Sequence, residues 1–262
     1  MQKVIRGFRG GYRLVKFLQH TRREVNKIKR YQNTKRHDEK ASTCLKRWGR
    51  QTLSTLNVEV HADFDLPGRP AIYVCNHKSY LDGAVLAAYT GSFFVIKSEA
   101  LKWPILGKYI QLTRNIAVDR ISARSRLQSG LQIKQRIMNG GSVVVFAEGT
   151  TYKEAGCREP ENGVFKLSAQ TGIPIVPVVL EYQNPDAAWV GDESFLPHFI
   201  RTHGQQQVVV GLKSGPLLAS TESDYLKSET RRWIELNSRQ IRAQFDFMPS
   251  VRMQMGGLVS PV

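Results

Sequence analysis

Ala71-Ile72-Tyr73-Val74-Cys75-Asn76-His77-Lys78-Ser79-Tyr80-Leu81-Asp82 joins a short apolar run to a polar heptapeptide, and a helical pattern follows. The run reads as a buried strand and Tyr80–Ala88 as a helix. The end of a strand feeding the start of a helix is where α/β folds place ligands. There His77 can face a cleft while Asp82, on the first helical turn, reaches back to its ring. The carboxylate fixes the tautomer and stabilises the imidazolium once the ring has taken a proton. A capping box, S-x-x-D, accounts for Ser79 and Asp82 without catalysis. It leaves His77 unexplained.

Working outward, Val58–His61, Phe93–Lys97, Asn115–Val118, Ser142–Phe146, Pro174–Leu180 and Gln207–Leu212 also read as strands. Helical patterns occupy Glu99–Leu112, Ala123–Met138, Val164–Thr171 and about Ser223–Phe245. This alternation predicts an α/β sheet covered on both faces. Pro174 and Pro177 inside one apolar run predict an edge or bulged strand there.

Of the 262 residues, 38 are Lys or Arg and 22 Asp or Glu, a net charge of +16. Residues 1–50 carry 16 of the basic residues against Glu24, Asp38 and Glu39. A basic arm on a near-neutral body calls for a polyanion, either anionic lipid or nucleic acid. To about Gln32 the arm reads as a helix with a weak point at Gly10-Gly11. Its Val4, Phe8, Tyr12, Val15, Leu18, Val25 and Ile28 fall roughly on one face among Lys and Arg, a pattern suited to an anionic membrane surface. Residues 33–42 read as a loop and Ala41–Leu56 as a second basic helix. The boundaries expected are a basic helical arm at 1–56, an α/β body at 57–248 and a frayed tail at 249–262. No apolar run reaches the ~18–20 residues of a transmembrane helix. Three unpatterned cysteines, Cys44, Cys75 and Cys157, indicate neither a disulfide framework nor a zinc site, and a reducing compartment is expected. A nucleic-acid module would need a recognition motif or patterned stacking aromatics, which are not seen. A non-catalytic membrane scaffold would not need His77 and Asp82.

Three further stretches bear on chemistry. Val143–Phe146 leads into Ala147-Glu148-Gly149-Thr150-Thr151, where Gly149 would let backbone N–H groups approach an anion and the hydroxyls would add donors. An ordinary strand exit explains it equally. Lys97-Ser98-Glu99 opens a segment that ends in Asp119-Arg120, and Lys97 and Arg120 could hold a phosphate. A solvated Lys and a surface charge pair are the plain alternative. Gly172-Ile173-Pro174-Ile175-Val176-Pro177-Val178 is explicable by structure alone.

In this order, the four stretches resemble the four blocks of the glycerolipid acyltransferase family, typified by 1-acylglycerol-3-phosphate acyltransferases. Asn76–Asp82 resembles N-H-x-x-x-x-D, Lys97 to Arg120 the block running from K-x-E to Asp-Arg, Phe146–Thr150 the F-P-E-G-T block, and Ile173–Val178 the V-P-V block. The resemblance covers roughly 57–215. It implies a mixed central sheet flanked by helices, with a basic N-terminal helical element that docks on the bilayer. It implies His77 as general base with Asp82 orienting it, and Glu148, Gly149, Thr150 and Thr151 at the acceptor head group beside Lys97 and Arg120. It implies an acyl thioester donor on CoA or acyl carrier protein, a lyso-lipid acceptor, and no metal, other cofactor or covalent acyl-enzyme. A cytoplasmic protein, peripheral on the inner membrane face and without a nucleic-acid partner, is expected. Two positions depart from F-P-E-G-T-R: Ala147 replaces Pro and Thr151 replaces Arg. Loss of that Arg weakens the case for lysophosphatidic acid, and E-G-T-T resembles the branch that acylates lyso-ornithine lipid. Lysophosphatidic acid, the commonest acceptor in the family, is kept first. Ala188–Asp192 with Leu196-Pro197-His198 is read as a lid or edge element.

Overall fold

The apolar run at 71–75 becomes the middle of a sheet. In the computed structural model, which describes residues 2–247, the strands are β1 (Val58–Asp63), β2 (Ile72–Cys75), β3 (Phe93–Lys97), β4 (Ile116–Val118), β5 (Val143–Val145), β6 (Ile175–Tyr182) and β7 (Val208–Ser214). They form one sheet in the order β1-β7-β6-β2-β5-β3-β4. β6 and β7 pair antiparallel and the other neighbours pair parallel, so the sheet is mixed. Every residue of β2, β5 and β6 is buried, as expected of strands covered on both faces. The expected tail, 249–262, lies outside the described residues.

The helices are α1 (Gln2–Lys29), α2 (His37–Leu56), α3 (Leu81–Thr90), α4 (Leu106–Leu112), α5 (Ala123–Met138), α6 (Gly163–Thr171), α7 (Phe195–His203) and α8 (Ser223–Phe247). The crossovers through α3 and α4 step one way along the sheet, those through α5 and α6 the other. Right-handed connection therefore puts α3 and α4 on one face and α5 and α6 on the opposite face. α1 and α2 join the first layer, where α2 packs on α3 and α1 on α4; α8 joins the second, against α6 and β6.

Four local expectations need correction. β6 is an interior strand, not an edge. Pro177 is tolerated because its carbonyl, and hence its missing N–H, points towards β7 just where that strand ends, with Gly215 N donating to Pro177 O at 2.8 Å. The pattern at 99–112 is not one helix. A 3-10 turn at Ser98–Lys102 precedes α4, with Trp103 extended ahead of Pro104 and Ile105 at φ +62°. Gly10-Gly11 does not break α1. A Cβ at Gly10 would lie 2.7 Å from the Ile200 carbonyl, so the glycine serves a close approach to α7. Finally, the apolar positions of α1 divide. Phe17 and Ile28 are buried and Leu18 and Val25 are half-buried against the core, whereas Val4, Phe8, Tyr12 and Val15 are exposed on the opposite side of the helix.

α2 is well anchored: Ala41, Cys44, Leu45, Trp48 and Leu56 belong to the main core. Glu24 of α1 is fully buried between the helices, with Lys27 at 3.0 Å and Arg47 against its carboxylate. These cations, with Cys44, hold its pKa down against the opposing effect of burial.

Candidate active site

β2 ends at Cys75 because Asn76 substitutes its side chain for the ladder. Its Nδ2 donates to Leu180 O at 2.9 Å and its Oδ1 accepts from Leu180 N at 2.8 Å. The chain is thereby pinned to β6 one residue before His77, which emerges at the carboxyl edge of the sheet. The His77 ring stacks on Phe146, with centroids 4.0 Å apart and planes 17° from parallel. Its backbone N–H donates to Glu148 Oε2 at 3.3 Å, and its carbonyl accepts from Tyr152 N at 3.2 Å.

Asp82, fully buried in the first turn of α3, receives four donors. Its Oδ2 accepts from His77 Nδ1 at 2.8 Å, Lys78 N at 2.6 Å and Ser79 N at 2.9 Å, and its Oδ1 from the Tyr182 hydroxyl at 2.6 Å. A carboxylate with this many donors is an acceptor only. Nδ1 of His77 therefore carries the proton, and Nε2 keeps its lone pair. The capping box is only half formed. Asp82 does cap the Ser79 N–H, but Ser79 Oγ meets only Leu81 N, at 3.5 Å.

His77 lines a cavity of about 320 Å³. Lys97, Arg120, Gly149, Thr150 and Thr151 line the same cavity. Its remaining wall is largely apolar, with Leu45 and Trp48 from α2, Phe94 and Ile96 from β3, and Leu106 and Ile110 from α4. Arg120 Nη1 hydrogen-bonds to the Gly149 carbonyl, which Gly149 presents at φ +76°. A side chain there would be strained and would meet the guanidinium. The Thr151 hydroxyl donates to the Trp189 carbonyl, so it is already engaged.

Two expected site residues do not line the cavity. Asp82 stands behind His77. Glu148 lies beneath the loop, accepting from His77 N and, at 3.1 Å, from the Tyr152 hydroxyl. Burial raises the Glu148 pKa to about 7, against hydrogen bonds that oppose the rise. Its observed contacts hold the His77 backbone. Among the described residues, no three His, Cys, Asp or Glu side chains cluster as metal ligands.

A model for a family described as Acyltransferase matches residues 57–181, which include His77, Asp82 and the Glu148–Thr151 turn. That match spans just under half of the chain and takes in all four stretches that resemble the glycerolipid acyltransferase blocks. Similar proteins include the lyso-ornithine lipid O-acyltransferase of Pseudomonas aeruginosa, 28% identical over 159 residues (59% of this chain, 61% of the relative). The enzyme of that name from Rhizobium meliloti is 31% identical over 167 residues, 56% of each chain. The chloroplastic 1-acyl-sn-glycerol-3-phosphate acyltransferase LPAT1 of Arabidopsis thaliana is 28% identical over 159 residues (59% of this chain, 42% of the relative). The alignments thus span well under the full length of these curated relatives. Among solved structures, the 1-acyl-sn-glycerophosphate acyltransferase PlsC of Thermotoga maritima superposes with a TM-score of 0.69 at 16% identity, covering 93% of this chain and 98% of that one. That likeness establishes the fold.

Within this acyltransferase fold, several side chains that hold the site were not singled out from sequence. Tyr182 lies 100 residues from the Asp82 it donates to. Lys78 is buried, with Nζ 3.3 Å from Glu181 and 3.6 Å from the Tyr152 ring centroid. It ties the His77 loop to β6 and to the loop after Gly149. Trp189, in the stretch read as a lid, stitches two loops through its backbone: its main-chain N–H donates to Lys78 O at 2.9 Å while its carbonyl accepts from the Thr151 hydroxyl.

Proposed function

We propose that this chain transfers an acyl group from an acyl thioester to the free hydroxyl of a lyso-lipid, with His77 as general base. The observation that carries this reading is the His77–Asp82 hydrogen bond at the wall of an apolar cavity, with Nε2 left unpaired among the described residues. The acceptor oxygen attacks the thioester carbonyl carbon as its proton passes to Nε2. The C–O bond forms and the C–S bond breaks. The imidazolium, steadied by Asp82, then returns the proton to the departing thiolate. The apolar walls suit an acyl chain.

The acceptor we infer is 1-acylglycerol-3-phosphate, giving phosphatidic acid, because Lys97 and Arg120 line the cavity near His77. Position 151 favours a second acceptor, lyso-ornithine lipid, since Thr151 offers no cation and its hydroxyl is spent on Trp189. The names of the Pseudomonas and Rhizobium relatives point the same way. Saturation curves for wild type and Thr151→Arg with each acceptor decide. If Thr151 faces a phosphate, the variant lowers KM for lysophosphatidic acid with less effect on kcat, as uniform binding requires. An unchanged KM removes Thr151 from the phosphate site, and a wild-type preference for lyso-ornithine lipid reverses the order of acceptors.

Residues 1–56 form the membrane-facing arm in this reading. Val4, Phe8, Tyr12 and Val15 project away from the body on a helix that also exposes Lys3, Arg6 and Lys16, a composition suited to an anionic bilayer surface. No described helix is long and apolar enough to cross a membrane. A peripheral position on the inner membrane face follows if the arm binds as proposed.

A further inference from the structure

α5 carries two apolar faces, one more than packing on the body requires. Its packed side presents Ser129, Ile133 and the half-buried Ile137 to the body. Its solvent side presents Leu127, Leu131 and Met138, which are 70%, 62% and 75% exposed. At 3.6 residues per turn these three share one narrow stripe, with Lys134 on one flank and Arg124 on the other, both exposed. The helix contains no Asp or Glu. Ile121, 94% exposed just before the helix, extends the stripe towards Arg120, which lines the active cavity.

An apolar stripe between cations, starting next to a residue of the cavity wall, fits an acidic partner with an apolar ridge. A second copy of the chain does not fit, because it would bring the same cations to a protein of net charge +16. A bilayer fits less well. The exposed apolar residues of α1 lie in the layer with α3 and α4, whereas α5 lies on the opposite face of the sheet. One flat surface would have to reach both sides of the sheet to cover the two stripes.

We infer that the outer face of α5 is the docking surface for an acidic acyl carrier protein that presents its thioester to the cavity from the Ile121 end. The identity of what it delivers rests on the acyl-transfer reading; the docking surface itself rests on α5.

Two variants of the full chain test this, Arg124→Glu/Lys134→Glu and Leu127→Ser/Leu131→Ser. Neither touches the His77–Asp82 pair or the cavity wall. Binding is measured with the unacylated holo-acyl carrier protein of the same organism, and transfer is measured with acyl-carrier-protein and acyl-CoA donors. The expected result is carrier affinity, and kcat/KM for the carrier-borne donor, falling at least about tenfold in each variant. With acyl-CoA, kcat/KM should stay within about twofold of wild type. Unchanged carrier affinity in both variants, or no carrier binding by wild type, overturns the inference. So does a loss confined to anionic vesicles of phosphatidylglycerol and phosphatidylethanolamine, which would assign the stripe to the bilayer. Wild type that binds the carrier through α5 but transfers from neither donor keeps the docking surface and removes the acyl-transfer reading.

Discussion

Asp82→Asn separates a helix cap from a catalytic partner. The carboxylate lies among four donors, three at Oδ2 and the Tyr182 hydroxyl at Oδ1. An asparagine can keep that geometry. Its carbonyl oxygen takes the Oδ2 position and accepts from His77, Lys78 and Ser79, while its NH₂ donates to the Tyr182 oxygen, whose hydroxyl rotates away. The ring tautomer and the helix start are then retained, and the charge alone is lost. Trading charge-assisted hydrogen bonds for neutral ones should cost about 1–3 kcal/mol of stability. The rate effect is larger. A carboxylate and an imidazolium whose charges lie ~4 Å apart interact by about 4 kcal/mol at an effective dielectric near 20. Most of that is gained only once the ring is protonated. We expect kcat to fall roughly 10²–10³-fold. Tyr182→Phe makes the converse change: it keeps the charge but leaves Oδ1 without its donor, so about 1–3 kcal/mol of stability is lost with less than a tenfold effect on rate. The assay follows thiol release from an acyl thioester with lyso-lipid acceptor, with urea denaturation alongside. A folded Asp82→Asn protein turning over within threefold of wild type would reduce Asp82 to a helix cap.

Other expectations follow from burial. Glu148, raised to about 7, keeps its proton in the folded state where the unfolded chain has lost it. Its contribution is therefore fully present below about pH 4.5 and is lost as pH rises through about 7, at most about 3 kcal/mol. Urea midpoints at pH 5 and pH 8 should differ less in Glu148→Gln than in wild type; an equal difference would mean that Glu148 titrates normally. On α1, Phe8→Ser/Val15→Ser should weaken binding to anionic vesicles by tenfold or more. It should leave thermal stability unchanged, since both side chains are exposed. Equal vesicle binding would place the membrane contact elsewhere.

The strands were legible because short β-branched runs alternate with helical periods. α5 was legible at both ends, with Ser122 Oγ accepting from Ser125 N at the start and the chain turning at Asn139-Gly140 after the last turn. α7 was not legible. Pro197 falls in its first turn, where a missing N–H does no harm, but in sequence it reads as a break. His77 and Asp82 were readable because they are five residues apart. Tyr182 and Trp189 were not, since only the parallel pairing of β2 with β6 and the return of the chain after β6 bring them to the motif. The basic arm read as a surface element because charge dominates it. Its interior contribution comes from a few residues at helical spacing, with Phe17 and Ile28 in the core and Leu45 and Trp48 on the cavity wall. Point changes on its exposed face therefore test membrane contact more cleanly than its removal, which would open the core.

The most direct test is His77→Ala in the thiol-release assay. Asp82 keeps its other three donors in that variant, so the helix start and the fold should survive. Loss of a positioned general base should lower the rate roughly 10²–10⁴-fold with little change in the unfolding midpoint. Near-normal thiol release from folded His77→Ala protein would contradict the assignment of His77 as the base.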